Sequence, residues 1–517
     1  MLSLRDAWQQ WMRRSRLTLA TIAGVLTLIT GCVVGPDYVR PPVITPDAYK
    51  EVDGWKVAQP QDNVIRGAWW EAFADPQLNA LEAQVDVSNQ NIAVAEATYR
   101  QARALVREAR ASYFPTVTLG LGYTRFRNSA TVGRSSAGTS SAGASSAGGS
   151  TGGGSSSPQS DFQLGLDFSW ELDLWGRIRR TVESNQASAQ ASAGDLESAR
   201  LSFQAELAQD YFQLRTLDAQ KQLLDATVAA FEKSLELTKN RYASGVASQV
   251  DVVQAETQLK TTQAQAIDVG VQRAQLEHAI ALLIGKPAST FSLPAAPLTA
   301  MPPPIPVGLP SALLERRPDI AAAERRVAAA NAQIGVAEAA FFPTVTLSAS
   351  SGFESSSLSQ WLTAPSRFWS VGPSISETVF DGGLRRAQTD FARAGYDASV
   401  GTYRQTVLTA FQAVEDNLAA LRILEQEGQV QDEAVKDAEK SVTLTTNQYK
   451  AGTVNYLNVI TAQTIALTDE TTAVQIRGRR MSAAVLLIQA LGGGWNASAL
   501  PSAEAVTARE KPAESRP

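Results

Sequence analysis

The 517-residue chain contains one cysteine, Cys32, and one histidine, His278. Zinc sites, thiol redox motifs and Ser–His or Cys–His catalysis all need more of these residues than the chain has. His278 lies in a helical pattern, where an ordinary surface or buried histidine is the usual interpretation. The sequence therefore predicts no metal, no cofactor and no enzymatic activity, with a hydrolase built from carboxylates alone as a remote alternative.

The chain also lacks an excess of positive charge. Its 46 Lys and Arg residues are outnumbered by 51 Asp and Glu residues, which gives a net charge of −5. Nucleic-acid binding needs a basic face that neutralises phosphates. The sequence therefore predicts no nucleic-acid partner.

Proline is absent from two long stretches, 159–286 and 374–500. Each stretch carries a helical pattern in which a long helix is followed by a shorter return helix. The predicted helices are 177–243 with 249–283, and 384–451 with 456–491. Gly245 and Gly452 mark the turns, as left-handed residues that end the longer helices. The longer helix of each pair would extend roughly 100 Å. A typical helix in a globular protein has only about 11–12 residues. An ordinary antiparallel bundle is the alternative.

An internal repeat accounts for this doubling. Phe-Pro-Thr-Val-Thr-Leu occurs at 114–119 and again at 342–347, each time between a helical run and an alternating strand. Asn-Arg-Tyr-Ala-Ser-Gly at 240–245 is echoed by Asn-Gln-Tyr-Lys-Ala-Gly at 447–452. A Ser/Gly tract at 129–157 lengthens the first copy and reads as a flexible loop. Repeats of this kind define the fold before any single element does.

Two segments of the first copy, 116–124 and 161–173, alternate strictly between apolar and polar residues. The second copy alternates more weakly, at 344–353 and 369–375. Segments of about 10 residues with one apolar and one acidic face are typical of membrane β-barrels, with lipid outside and water inside. The residues predicted to face the lumen are Asp161, Gln163, Asp167 and Glu171. Soluble hairpins packed on a helical layer are the alternative.

Four strands cannot close a barrel, because the smallest membrane barrels have about 8 strands and open edges are not tolerated in lipid. The chain is therefore expected to oligomerise. Three copies of four strands each make a 12-stranded barrel, and the same symmetry closes the helical hairpins into a tube. The predicted fold is an α+β membrane protein, a homotrimer whose β-barrel continues into a long α-helical barrel.

The amino terminus has the features of a targeting segment. Arg13, Arg14 and Arg16 precede an apolar run at 17–29, which is too short for a comfortable membrane-spanning helix. The run ends in Leu-Ile-Thr-Gly-Cys, which resembles a bacterial lipobox with signal cleavage after Gly31 and acylation of Cys32. A plain signal peptide with an incidental cysteine is the alternative.

The chain is accordingly divided into two repeats with flanking segments. The divisions are a signal peptide 1–31, a lipidated extended segment 32–77, a first repeat 78–286, a Pro-rich linker 287–310, a second repeat 311–492 and a disordered tail 493–517. Within the repeats, strands are predicted at about 115–173 and 343–380, and helical hairpins at 177–284 and 384–491.

With these motifs in hand, the chain resembles the outer-membrane efflux lipoproteins of the TolC type, in the NodT branch that serves RND pumps. The resemblance covers essentially all of the mature chain. It rests on both Phe-Pro-Thr-Val-Thr-Leu copies, Gly-Cys-Val-Val-Gly-Pro-Asp-Tyr at 31–38, Trp-Trp at 69–70, Asp-Leu-Trp-Gly at 173–176, Arg-Pro-Asp-Ile at 317–320, Phe-Asp-Gly-Gly at 380–383 and the Tyr-x-x-Gly turns at Tyr242 and Tyr449. It implies a trimeric outer-membrane channel that exports small molecules and catalyses nothing. It also implies docking to a periplasmic adaptor near Gly245 and Gly452, and to an inner-membrane RND pump.

The resemblance also implies a periplasmic gate, usually narrowed by acidic residues just after the second turn. Here Asn458 and Thr461 occupy those positions, whereas Asp251 stands in the first copy where the second has Asn458. We therefore expect three Asp251 side chains to form the acidic ring, which would attract cations. A solvated aspartate favoured by the helix dipole is the equal alternative.

The leading prediction is a passive outer-membrane exit channel of a tripartite efflux pump. A lipid-anchored trimeric coiled coil, structural or adhesin-like and without a pore, is the second. It explains the long helices and the cysteine, but not strands whose acids face a lumen.

Overall fold

The structure is a computed structural model that describes residues 33–51, 67–127, 158–305 and 310–508. Gly31, Cys32, the predicted signal peptide and the Ser/Gly tract lie outside these residues. The helices, in chain order, are α1 (Pro76–Ser88), α2 (Gln90–Ala111), α3 (Arg177–Ala243), α4 (Gln249–Leu283), α5 (Leu313–Arg316), α6 (Pro318–Ala339), α7 (Leu384–Lys450), α8 (Tyr456–Ala490) and α9 (Ala503–Thr507). The strands are β1 (Thr116–Phe126), β2 (Gln159–Leu172), β3 (Thr344–Ser355) and β4 (Arg367–Ser376).

The repeat is visible in the lengths of matching helices. α2 and α6 each have 22 residues, α3 and α7 each have 67, and α4 and α8 each have 35. The prediction of two long helical hairpins joined at glycine turns is confirmed. None of the described helices combines the length and apolarity that a membrane-spanning helix needs.

The four strands form one antiparallel sheet in the order β1-β2-β3-β4, which confirms the predicted strand number. The pairing of β2 with β3 joins the two repeats, with Leu172 opposite Val345 and Phe162 opposite Ser355. β1 and β4 are the edge strands, and no further strand among the described residues pairs with them. An edge presents unpaired backbone N–H and C=O groups. The sheet of a single chain is therefore incomplete at both sides.

The chain divides into two compact units. The described parts of the first unit are 33–37, 107–127, 158–183 and 331–393, and they include the whole sheet. The second unit comprises 38–51, 67–106, 184–305, 310–330 and 394–508. α2, α3, α6 and α7 each contribute residues to both units.

The main hydrophobic core belongs to the second unit, and it includes Trp69, Tyr211, Phe212 and Tyr403. Aromatic side chains bury a large apolar area each, which is how a few of them support long helices.

Glu82 is buried in α1 with neither carboxylate oxygen hydrogen-bonded. Burial, followed by the charge of Asp86, raises the pKa of Glu82 well above its usual value.

The carboxy-terminal segment differs from the predicted disordered tail as far as residue 508. α9 packs its Val506 into a cluster with Val106 and Ala189. The Arg103 guanidinium donates to the backbone oxygen of Ala508 at 2.7 Å. The small, Pro-bearing composition of the segment suggested disorder, but one buried valine and a few backbone hydrogen bonds fix it. Residues 509–517 lie outside the described part of the chain.

Candidate functional site

The tips of the two helical hairpins are the first candidate site. Gly245 and Gly452 have φ angles of +77° and +78°, as predicted for residues that end α3 and α7. Gly245 donates to Tyr242 O at 2.9 Å, and the next N–H donates to Arg241 O. The same pair of bonds recurs at Gly452. Together they form a Schellman motif, which satisfies the last carbonyls of a helix and reverses the chain tightly.

Asp251 caps the helix that leaves the first turn. Its carboxylate accepts a hydrogen bond from the Ser248 backbone N–H at 3.0 Å. The Asp251 N–H in turn donates to the Ser248 hydroxyl at 3.2 Å. This capping box satisfies two donors at the start of α4. A local structural role for Asp251 is therefore present in a single chain, beside the gate role predicted from the sequence.

Asn458 and Thr461 occupy the corresponding part of the second hairpin. Both are exposed. The Asn458 N–H donates to the Asn455 side chain at 3.3 Å, so here the cap is neutral. The Thr461 hydroxyl donates to Leu457 O at 2.9 Å within α8. Neither residue brings a negative charge to this tip.

A small apolar cluster joins the two hairpins near their tips, and we call it the tip cluster. Its buried members are Phe231, Leu235, Ala255, Leu259, Tyr449, Tyr456 and Val459. The Tyr449 and Tyr456 rings lie 5.2 Å apart. The Tyr456 hydroxyl is within 3.0 Å of the Ser234 hydroxyl. Burial raises the pKa of Tyr456, so this phenol remains neutral and can hydrogen-bond.

Arg241 adds a polar clamp to the tip cluster. Its guanidinium donates to Lys450 O at 3.0 Å and lies 4.7 Å from the centre of the Tyr449 ring. It therefore ties the end of α3 to the end of α7 through a charge-assisted hydrogen bond and a cation–π contact. Arg241 was not among the residues predicted from the sequence. The only signal was that the first repeat has Arg where the second has Gln448.

The sheet is the second candidate site, and its cross-strand register defines two faces. Asp161, Gln163, Asp167 and Glu171 alternate along β2 and share one face, as predicted. Their partners on β1 and β3 are Thr, Ser or Gly, except Glu354 opposite Gln163. Glu171 forms an ion pair with Arg177 at 2.6 Å. This polar face is suited to water.

The opposite face is apolar. Across β1 and β2 the pairs on this face are Val117–Phe168, Leu119–Leu166, Leu121–Leu164 and Tyr123–Phe162. The β1 side chains are strongly exposed, with Leu119 and Leu121 both at 73%. Exposed apolar surface of this extent on a sheet marks a contact with lipid or another apolar partner.

Aromatic residues lie near both ends of the apolar face. At the end away from the helices, the ring of Phe162 is 4.8 Å from Tyr123 and 5.9 Å from Trp361. At the other end, Trp170 donates its indole N–H to Tyr113 O at 3.0 Å. Two aromatic girdles flanking an apolar band are typical of membrane barrels.

The segment after Cys32 is held against the sheet-bearing unit. Val34 N–H donates to Trp175 O at 3.1 Å. The Arg180 guanidinium donates to Val34 O and Gly35 O and pairs with Asp37. Gly35 adopts φ +99°, and a Cβ there would lie 2.4 Å from the Cα of Gly335. These contacts fix residue 33 beside the turn between β2 and α3.

Among the described residues, no group of three or more His, Cys, Asp or Glu side chains is placed to hold a metal ion.

Comparison with known proteins finds outer-membrane efflux and export proteins by family model, by sequence and by structure. The family model described as "Outer membrane efflux protein" matches residues 81–286 and 309–493. The toluene efflux pump outer membrane protein TtgF of Pseudomonas putida is 32% identical over 479 residues, covering 90% of this chain and 95% of its own. The pyoverdine export outer membrane protein OpmQ of Pseudomonas aeruginosa is 31% identical over 428 residues, covering 83% and 87%. The solved structure of the outer-membrane channel OprN is 30% identical, with a TM-score of 0.81 over 90% of this chain and 100% of its own.

Proposed function

This chain belongs to the outer membrane efflux protein family, and on that premise we propose how its geometry serves as the exit duct of a tripartite pump. The chain is a subunit of an outer-membrane efflux channel, located in the bacterial outer membrane with a helical barrel in the periplasm. The resemblance stated from the sequence motifs is confirmed.

The observation that carries the proposal is the two-faced sheet with open edges. One face is apolar and bounded by aromatic residues, the other is polar and acidic, and both edge strands lack partners within the described chain. Open edges are not tolerated in lipid. Three copies of the sheet close a 12-stranded barrel in which β4 of one subunit meets β1 of the next. Lipid then covers the apolar face, and water fills the inside.

Such a duct is passive. A wall of Ser, Thr, Gly, Asp and Gln side chains offers hydrogen bonds and negative charge but no reactive constellation. The driving energy comes from an inner-membrane pump of the RND class, joined to the channel by a periplasmic adaptor. The exposed turns at Gly245 and Gly452 are the proposed adaptor contacts, supported by their position at the hairpin tips.

The cargo is proposed to be small organic molecules. TtgF and OpmQ are named for toluene and pyoverdine respectively, which differ greatly in size and polarity. A permissive duct of this kind leaves most selection to the pump.

The periplasmic end is proposed to be gated at the hairpin tips. The Arg241 clamp and the tip cluster hold the two hairpins of one subunit together, so opening requires these contacts to rearrange. Three Asp251 side chains form the acidic ring at this end, with Asn458 and Thr461 contributing neutral polar groups.

The chain is proposed to be anchored by acylation of Cys32 after cleavage at Gly31. Residue 33 lies beside the turn between β2 and α3, at the helix-bearing end of the sheet. Acyl chains on the preceding cysteine would therefore lie at the rim of the barrel, where they can enter the lipid.

Single-channel recording tests the proposal directly. The purified mature protein, added to a planar lipid bilayer, should give stepwise, cation-preferring currents and run on gels as a heat-sensitive trimer. A trimeric coiled coil without a pore would give no current steps. Two further results would link the channel to a pump. The wild-type gene should restore drug tolerance to a deletion strain, and the adaptor should be recovered together with the native chain.

A further inference from the structure

Phe368 is out of place on the polar face of the sheet. The cross-strand register puts it on the side that carries Ser370, Gly372 and Ser374 of the same strand. The face it shares is otherwise built from Ser, Thr, Gly, Asp, Gln and Glu, apart from Phe126 at the far end of β1. In the channel, Phe368 is therefore a large apolar side chain on the water-facing wall, level with Gly352 of β3 and with Gly165 in the middle of β2.

A transverse row of glycines makes room for the Phe368 ring. Gly120, Gly165 and Gly352 stand opposite one another on three neighbouring strands, and Phe368 continues the same row on β4. The Phe368 Cζ atom lies 3.7 Å from the position that a Cβ would take on Gly165, two strands away. Gly165 is the only buried residue within the four strands. The ring thus lies along the wall, across Gly352 and onto Gly165.

A carboxylate lies beside the ring. Asp167 Oδ2 is 3.9 Å from the same Cβ position on Gly165, so the ring atom and the carboxylate both lie within 4 Å of one point. Asp161, Glu171 and Glu354 share the face, whereas the strand residues on this face include no Lys or Arg. Aromatic faces attract cations, and a neighbouring carboxylate adds to this attraction.

We propose that Phe368 and Asp167 form a contact site on the channel wall for organic cations that carry an apolar ring. The inference rests on the proposed channel function, since it needs this face to line the pore. The ring of the cargo stacks against Phe368, and its charged nitrogen lies toward Asp167. Three subunits place three such sites at one level of the barrel, where they slow the passage of aromatic cations relative to purely hydrophilic ones.

A purely structural role for the ring makes a different prediction. An aromatic side chain laid over strand glycines can stabilise a sheet by covering the backbone. In that case any side chain that fills the recess above the glycine row would stabilise the sheet equally well. No probe molecule would then distinguish the variants. The site proposed here needs the aromatic face itself.

The test is single-channel recording with two cations that differ by one ring. Benzyltrimethylammonium and tetramethylammonium are added in turn to the wild-type trimer, and the duration of the current blocks is compared. The wild type should hold the benzyl compound about 2 to 5 times longer, the factor expected from one exposed cation–π or ring contact. Phe368→Leu, which fills the recess without an aromatic face, should bring this ratio close to one. Asp167→Asn should shorten the blocks by both cations.

Ser370→Ala is the matched control, a change at the next position on the same face and strand, and it should leave the ratio unchanged. A ratio that stays the same in Phe368→Leu would overturn the wall site while leaving the channel intact. A wild-type protein that gives no current would instead refute the channel function itself. Phe368→Tyr keeps the ring and should keep the ratio, which confirms that the loss in the leucine variant comes from the missing aromatic face.

Discussion

Individual residues in this chain often serve the backbone before they serve the pore. Asp251 illustrates this, because its carboxylate accepts the Ser248 N–H in a capping box. The charge that could form a gate ring is the charge that also stabilises the start of α4. The two roles can be separated by changing the charge and the cap independently.

Asp251→Asn removes the charge but keeps an acceptor oxygen for the Ser248 N–H. If three Asp251 carboxylates narrow the closed end, this variant should weaken channel block by divalent cations by about tenfold or more, because a ring of charges is lost. Ser248→Ala keeps the charge and removes the cap, which should cost about 0.5–2 kcal/mol of local helix stability. Block measured in planar bilayers should be unchanged in the serine variant. Equal block in wild type and Asp251→Asn would remove Asp251 from the gate.

At the scale of the element, the sheet depends on close approach of backbones at its glycines. A Cβ on Gly352 would lie 2.0 Å from Leu164 O, a contact that no side chain can make. The β2–β3 pairing joins the two repeats, so this position sits at the seam between them.

Gly352→Ala should therefore disrupt assembly of the barrel. The added methyl group forces β2 and β3 apart, at a cost on the order of 1–3 kcal/mol or more. The measurement is the yield of heat-sensitive trimer in outer membranes. Gly372→Ala is the matched control, because a Cβ there meets nothing within 4 Å. Similar trimer yields from the two variants would show that the seam is not tightly packed.

The helices were the easiest elements to predict. Their limits follow from two proline-free stretches and from the glycines at 245 and 452, which are local signals. The Arg241 clamp was missed because its partner oxygen belongs to Lys450 in the other repeat. No local pattern shows which residue of a distant hairpin will lie opposite an arginine.

At the scale of the whole molecule, the proposed lipid anchor at Cys32 and the proposed barrel would attach the protein to the membrane independently. The segment from Val34 to Asp37 is fixed by Arg180 through contacts that do not involve Cys32. The proposed acylation site can therefore be removed without removing the contacts that hold this segment.

Cys32→Ser should abolish incorporation of labelled palmitate, while the wild type takes up the label. Mass spectrometry of the wild-type amino terminus should find a diacylated or triacylated cysteine at position 32. Val33→Ala, a change one residue further on, should still be labelled. Label persisting in the serine variant would show that the chain is acylated elsewhere or not anchored through this residue.

The sequence by itself determined the repeat, the four strands, the two long helical hairpins and the polarity of the two faces of the first strand pair. These properties are periodic or local, so spacing along the chain is enough to reveal them. Only the tertiary structure decided the register of the sheet, and with it the glycine row beneath Phe368, the clamp at the hairpin tips and the docking of α9. Each of these depends on residues far apart in sequence, and a local pattern fixes which face a side chain takes but not what lies opposite.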